Sequence, residues 1–134
     1  MANTAVTSIS VQWTPPSAPV NSGQSTFTLQ ASYNAQQVGQ QDVPSGTPPA
    51  TVFTVAFGSV NKAKLLVIKN LMTSDVDVRI NGSLDAVTLS PQSMFIYGGL
   101  TDPTTGVHPI TAATVTTLVA PTNTEYFQSF VFGD

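Results

Sequence analysis

His108 is the sole histidine of the 134-residue chain. Asp102 precedes it within residues 100–109, a stretch with Asp102-Pro103 and Gly106 that reads as the longest surface loop. A serine–histidine–aspartate relay is arithmetically open to this pair. No serine, however, lies in a Gly-x-Ser-x-Gly elbow, and a loop histidine ordinarily bonds to solvent or backbone. Asp75 and Asp77 stand two apart, so on a strand their carboxylates leave from one face and, with Asn70 or Asn81, offer oxygens to a hard cation. A complete site needs about six oxygen ligands, and acids on the outward side of a strand are ordinarily solvated or paired with a lysine across it. Asp75, Asp77 and Asp85 supply the residue type of a glycosidase pair. That chemistry needs two carboxylates held about 5–10 Å apart beside a sugar cleft, and the spacing singles out no pair. Gly98-Gly99 lacks the Gly-Lys-Ser/Thr ending and the following helix of a phosphate loop, and reads as a turn. Trp13, Tyr33, Tyr97 and Tyr126 would make a stacking platform for a sugar if they were grouped. Each shares strand parity with aliphatic neighbours, which assigns it to a core.

Composition narrows the field further. The chain has no cysteine, one glutamate and six aspartates, which excludes a disulfide scaffold, a cysteine nucleophile and cysteine-based metal sites. We expect no enzyme, and assign no catalytic, cofactor or metal residue. Charged residues make up 8% of the chain and the net charge is −3, where a soluble domain usually has about a quarter of its residues charged. Residues 1–41 carry no ionised side chain, and the cations Lys62, Lys64, Lys69 and Arg79 share one window. Such a surface does not suit nucleic acid, which needs clustered basic residues. The longest clean apolar run, residues 65–68, is far short of a membrane span. The start Met1-Ala2-Asn3-Thr4 lacks a signal peptide's basic and apolar segments, so synthesis in a cytoplasm without export is expected. Interface cores are depleted in Lys, Glu and Asp, so residues 1–41 are expected to lie against a neighbouring subunit.

The elements that must position these residues are strands. Sixteen Val, nineteen Thr, five Ile and eleven aromatic residues favour β structure, and apolar residues recur with period two rather than with helical spacing. Strands are expected over residues 5–13, 27–33, 51–57, 76–80, 87–89, 94–97, 115–119 and 125–132. Residues 34–41, rich in glutamine, read as a poor edge strand or a loop. Residues 44–49 are a proline-rich connection and 58–61 a turn. Residues 64–71 are apolar on both faces over four positions, as in a central strand covered on both sides. Asn81-Gly82 is the strongest short hairpin signal, with 87–89 pairing back. Aromatic residues at 130–132 imply that this segment is docked in a sheet or at an interface. The expected fold is all-β: one domain over 1–134, a β-sandwich of about eight to ten short strands, jelly-roll or Ig-like, whose order the alternation leaves open. Residues 1–50 are either an extra sheet or an arm contacting a subunit or shell.

Leu65-Leu66-Val67-Ile68-Lys69-Asn70-Leu71, then Val76-Asp77-Val78-Arg79-Ile80-Asn81-Gly82, then Val87-Thr88-Leu89-Ser90-Pro91 resembles a pattern of small β-rich virion proteins of tailed bacteriophages. There an "I-x-N-L" strand, a polar turn and a second strand lead to an "L-x-P" entry into the next. The resemblance covers residues 64–99 and implies a capsid decoration (cement) protein, or a tail, fibre or baseplate component. It further implies a homotrimer with the major capsid protein or other virion proteins as partners, and no catalytic residues. A carbohydrate-binding module, stacking a sugar on Trp13 or Tyr97, is the alternative from the residues alone.

Overall fold

A computed structural model of the chain describes residues 3–13, 23–98, 101–102, 106–107 and 110–134. Its elements are all strands: β1 (Asn3–Trp13), β2 (Gly23–Tyr33), β3 (Ala35–Val43), β4 (Val52–Thr54), β5 (Ala63–Asn70), β6 (Val76–Ile80), β7 (Val87–Leu89), β8 (Met94–Gly98), β9 (Thr101–Asp102), β10 (Gly106–Val107), β11 (Ala113–Thr117) and β12 (Glu125–Gly133). Two four-stranded sheets form the body, in the orders β3-β12-β5-β8 and β4-β11-β6-β7. Every neighbouring pair is antiparallel. The chain passes from sheet to sheet so that its first and last body strands, β3 and β12, are neighbours. This is the wiring of an eight-stranded jelly roll, and it settles the order that alternation alone left open.

The core between the sheets follows from strand parity. Leu66 and Ile68 of β5, Val76 and Val78 of β6, Val115 of β11, and Phe127 and Val131 of β12 face inward and are fully buried, with Phe53 edge-on to Phe127 at 6.2 Å between ring centroids. Each such side chain contributes about 1.5–3 kcal/mol through its burial. The other face of β5 is buried too. Leu65 and Val67 form a second cluster with Ala5, and Ala31, Tyr33, Ile96, Phe130 and Phe132 pack against it. The cover on that side is the β1–β2 ribbon, continuously paired from Asn3↔Tyr33 to Trp13↔Gly23. Tyr33 rests on Phe132 of β12, ring centroids 5.0 Å apart, Ala31 packs with Leu65 and Val67 of β5, and Leu29 reaches Gly98 of β8. The ribbon therefore crosses the sheet's strands rather than running along them, in the manner of orthogonal sheet packing. The central strand expected over 64–71 is β5, Ala63–Asn70, covered on both sides, by the second sheet and by this ribbon.

Several sequence expectations need correction. Of the two readings of residues 34–41, poor edge strand or loop, the edge strand holds but is not a poor one: β3 is nine residues long and pairs without interruption with β12. The strand expected over 51–57 stops at Thr54, because after Val55 N–H bonds to Ala113 O the chain turns, with Val60 N–H donating to Phe57 O. The strand expected at 115–119 is shifted to Ala113–Thr117, and Leu118 and Val119 are exposed. Asn81 and Gly82 both have positive φ, 50° and 69°, and Ser83 N–H closes the turn on Ile80 O. Pairing of β6 with β7 resumes only at Val78↔Val87, so this turn opens a longer connection instead of a two-residue hairpin. Gly98 is no turn residue: it closes β8, opposite Leu65. The aromatic segment 130–132 is held within the sheet, in β12. There a Cβ on Gly133 would meet Lys62 O at 1.9 Å, so only glycine fits.

Candidate functional site

The outer face of the sheet containing β3 is built in rows across its strands. The register places Val38, Phe130, Val67 and Ile96 in one row and Gln36, Phe132, Leu65 and Gly98 in the next. The ribbon covers Leu65 and Val67 but leaves β3 outside its cover. Val38 remains 51% exposed, and beside the ribbon runs a cleft of about 360 Å³ lined by Val6, Thr7, Ser8, Val67, Phe130 and Phe132. Exposed apolar surface of this kind, rimmed by polar groups, is the usual mark of a contact surface. The rim is amide and hydroxyl: Gln36, Gln40, Thr4 and Ser8 are exposed. Among the described residues of β3 and β5 with the parity of this face, charge enters toward its far end, at Asp42, which accepts a bond from Gln40 Nε2 at 3.0 Å, and at Lys69.

The residues singled out from sequence as possible chemistry are not brought together. Asn70 is fully buried; its Nδ2 donates to Ser74 O (2.9 Å) and Leu89 O (3.0 Å), and its Oδ1 accepts Met72 N–H (2.9 Å). Asn81 Oδ1 accepts Thr111 N–H at 2.8 Å. Neither asparagine offers its oxygen to a cation beside Asp75 and Asp77. Asp77 takes the Thr88 hydroxyl, its directly opposed partner, at 2.7 Å, in place of the expected lysine. Asp85 lies in the connection between β6 and β7, its backbone N–H donating to Ser83 Oγ at 3.1 Å. Among the described residues no three of His, Asp or Glu stand close enough to hold a metal ion. His108 and Gly99 lie outside the described residues, as do the side chains of Asp102 and Trp13. Tyr33 and Tyr97 are packed against the outer and inner clusters respectively, as strand parity implied. Tyr126 departs from it: its parity is that of the outer face, where it is 38% exposed.

Sequence reading left β3 open between an edge strand and a loop; the structure makes it the edge strand. Each of its faces carries two glutamines, with Ala35, Gly39 and Val43 on one side and Val38 and Asp42 on the other, so the alternation that reveals a strand carries little hydrophobic contrast there. The remaining signal was the absence of charge and proline over residues 35–41.

Fold and face together define a class: a jelly-roll sandwich with a crossing β-ribbon, its polar surface made of amides and hydroxyls, presenting an apolar cleft and an edge strand, β3, whose far side pairs with no strand among the described residues. Compared with protein-family models, with curated proteins and with solved structures, the chain matches none.

Proposed function

We propose that the chain is a non-enzymatic structural protein of a tailed-bacteriophage virion, which binds the assembled capsid as a decoration, or cement, protein and stabilises it. The observation that carries this reading is the charge-poor outer face, with Val38, Phe130 and the neighbouring cleft exposed beside Gln36 and Gln40. A particle component attaches at many equivalent sites, so modest affinity at each contact suffices. A neutral surface also sets little repulsion between crowded copies. The jelly roll supports the reading without deciding it, since viral capsid and lectin domains both use this fold. The mechanism is added buried area between shell subunits, about 1,600 Å² for a standard specific contact, from a protein made in the host cytoplasm and resident in the virion.

The test compares particles assembled with and without the protein. Particles lacking it are expected to rupture at lower temperature or lower internal pressure, and equal stability would overturn the reading. Exposed Tyr126 favours a second reading, a carbohydrate-binding module at a tail, fibre or baseplate. In that case a glycan array gives a signal that Tyr126→Ala abolishes.

A further inference from the structure

The four edges of the two sheets are unequal. β4 and β7 are three residues each and β8 is five, whereas β3 is nine. Proteins ordinarily guard a long edge strand with lysine, proline, a bulge or a covering segment, because its unpaired N–H and C=O groups invite another strand. Over Ala35–Val43 there is no lysine, arginine or proline, and the register with β12 is unbroken across all nine pairs, so no bulge turns the edge away. The only charge on the strand is Asp42, next to its end.

We propose that β3 pairs edge to edge, antiparallel, with β3 of a second copy of this chain, joining the two β3-β12-β5-β8 sheets into one. The sequence is self-complementary in that arrangement. With Gly39 facing Gly39 of the second copy, all nine residues pair: Val38 opposes the second copy's Gln40, Gln37 opposes its Gln41, and Gln36 opposes its Asp42. Like charges meet nowhere along the ladder. Gln36 donates to the opposed carboxylate just as Gln40 Nε2 does to Asp42 within one chain, at 3.0 Å. Equal parity keeps outer face against outer face, so the exposed Val38 side chains of both copies lose solvent on pairing. The two-fold operator this requires is the commonest in soluble assemblies. It differs from the three-fold assembly that the family resemblance implied, and it stands independently of the virion reading.

Light scattering over a concentration series tests it. The wild-type chain is expected to reach twice its 14.0 kDa mass. The double variant Val38→Lys/Gln40→Lys places lysines directly opposite one another at exposed positions, and is expected to dissociate about tenfold more readily at low salt. High salt restores its pairing. Val38→Glu/Gln40→Glu behaves alike when alone, and mixing the two variants restores a particle of twice the chain mass, which a misfolded variant could not do. A wild-type chain that stays at 14.0 kDa, or reaches three times that mass, overturns the proposal. So does a pair insensitive to the lysines, or a mixture that fails to recover.

Discussion

Asn70 ends β5 with its side chain sealed from solvent, and its three hydrogen bonds tie the Met72–Ser74 turn and the β7 residue Leu89 to the central strand. Replacing it with alanine leaves two carbonyls and one N–H unsatisfied inside the protein. Asn70→Ala is therefore expected to lower the free energy of unfolding in urea by roughly 2–4 kcal/mol, and Asn70→Asp, which also buries a charge, by more. A loss under about 1 kcal/mol would show that water takes the side chain's place. The ion pair of Lys64 with Asp134 is the contrasting case: both side chains are substantially exposed, 32% and 44%. Lys64→Met is expected to change stability by less than about 1 kcal/mol in the same assay. The sequence displayed Asn70 as a polar residue after an apolar run, and hence as a possible ligand for a cation. That Met72 and Ser74 in the next turn, and Leu89 nineteen residues on, would occupy it depends on how the chain turns after β5 and pairs β7 with β6.

Strands with contrast between their faces were legible. β6 was recognised at its observed bounds and β12 to within one residue, because valine, isoleucine and phenylalanine alternate there with polar residues, while β2 was begun four residues late. β3 stayed open between edge strand and loop for want of that contrast, and β4 was over-extended because Phe53, Val55 and Phe57 keep strand parity after the ladder has ended. The crossing ribbon was legible as two strands but not as a lid on β5, since nothing local records which surface a hairpin will cover. Ala31→Asp sets a carboxylate against Leu65 and Val67, and desolvating it costs several kcal/mol unless the ribbon lifts away. Limited proteolysis should then cut within residues 3–33 while residues 35–134 stay resistant; unchanged resistance of the ribbon would mean that its packing on the sheet contributes little. At Gly133, alanine would drive its Cβ into Lys62 O, so Gly133→Ala is expected to displace the end of β12 and lower the melting temperature by several degrees, on the order of 1–3 kcal/mol.

At the scale of the molecule, β12 separates β3 from β5, so the first body strand has no sheet partner until residues 125–133 arrive. Such non-local pairing makes for slow folding, with refolding expected on a time of about milliseconds to seconds. A chain shortened to residues 1–124 is expected to show no cooperative melting transition by circular dichroism, because two strands and the Phe127–Val131 part of the core are lost together. The jelly-roll order belongs to this scale alone. Every strand of an Ig-like sandwich could show the same alternation, and only the pairing of β3 with a strand some ninety residues later distinguishes the two.

That same pairing fixes how the molecule gives way under tension. Ala35 lies opposite Gly133, so Asn34 and Asp134 sit at the same end of the β3–β12 ladder. A load applied between them pulls the rungs open one after another instead of shearing all nine at once, and a zipper of this kind parts at low force. The first rung is fastened by Asn34 N–H to Gly133 O at 2.9 Å and by Asn34 Nδ2 to Asp134 Oδ1 at 3.1 Å. This small clasp, at the seam where the sandwich's first and last strands meet, is where a stretched molecule begins to open.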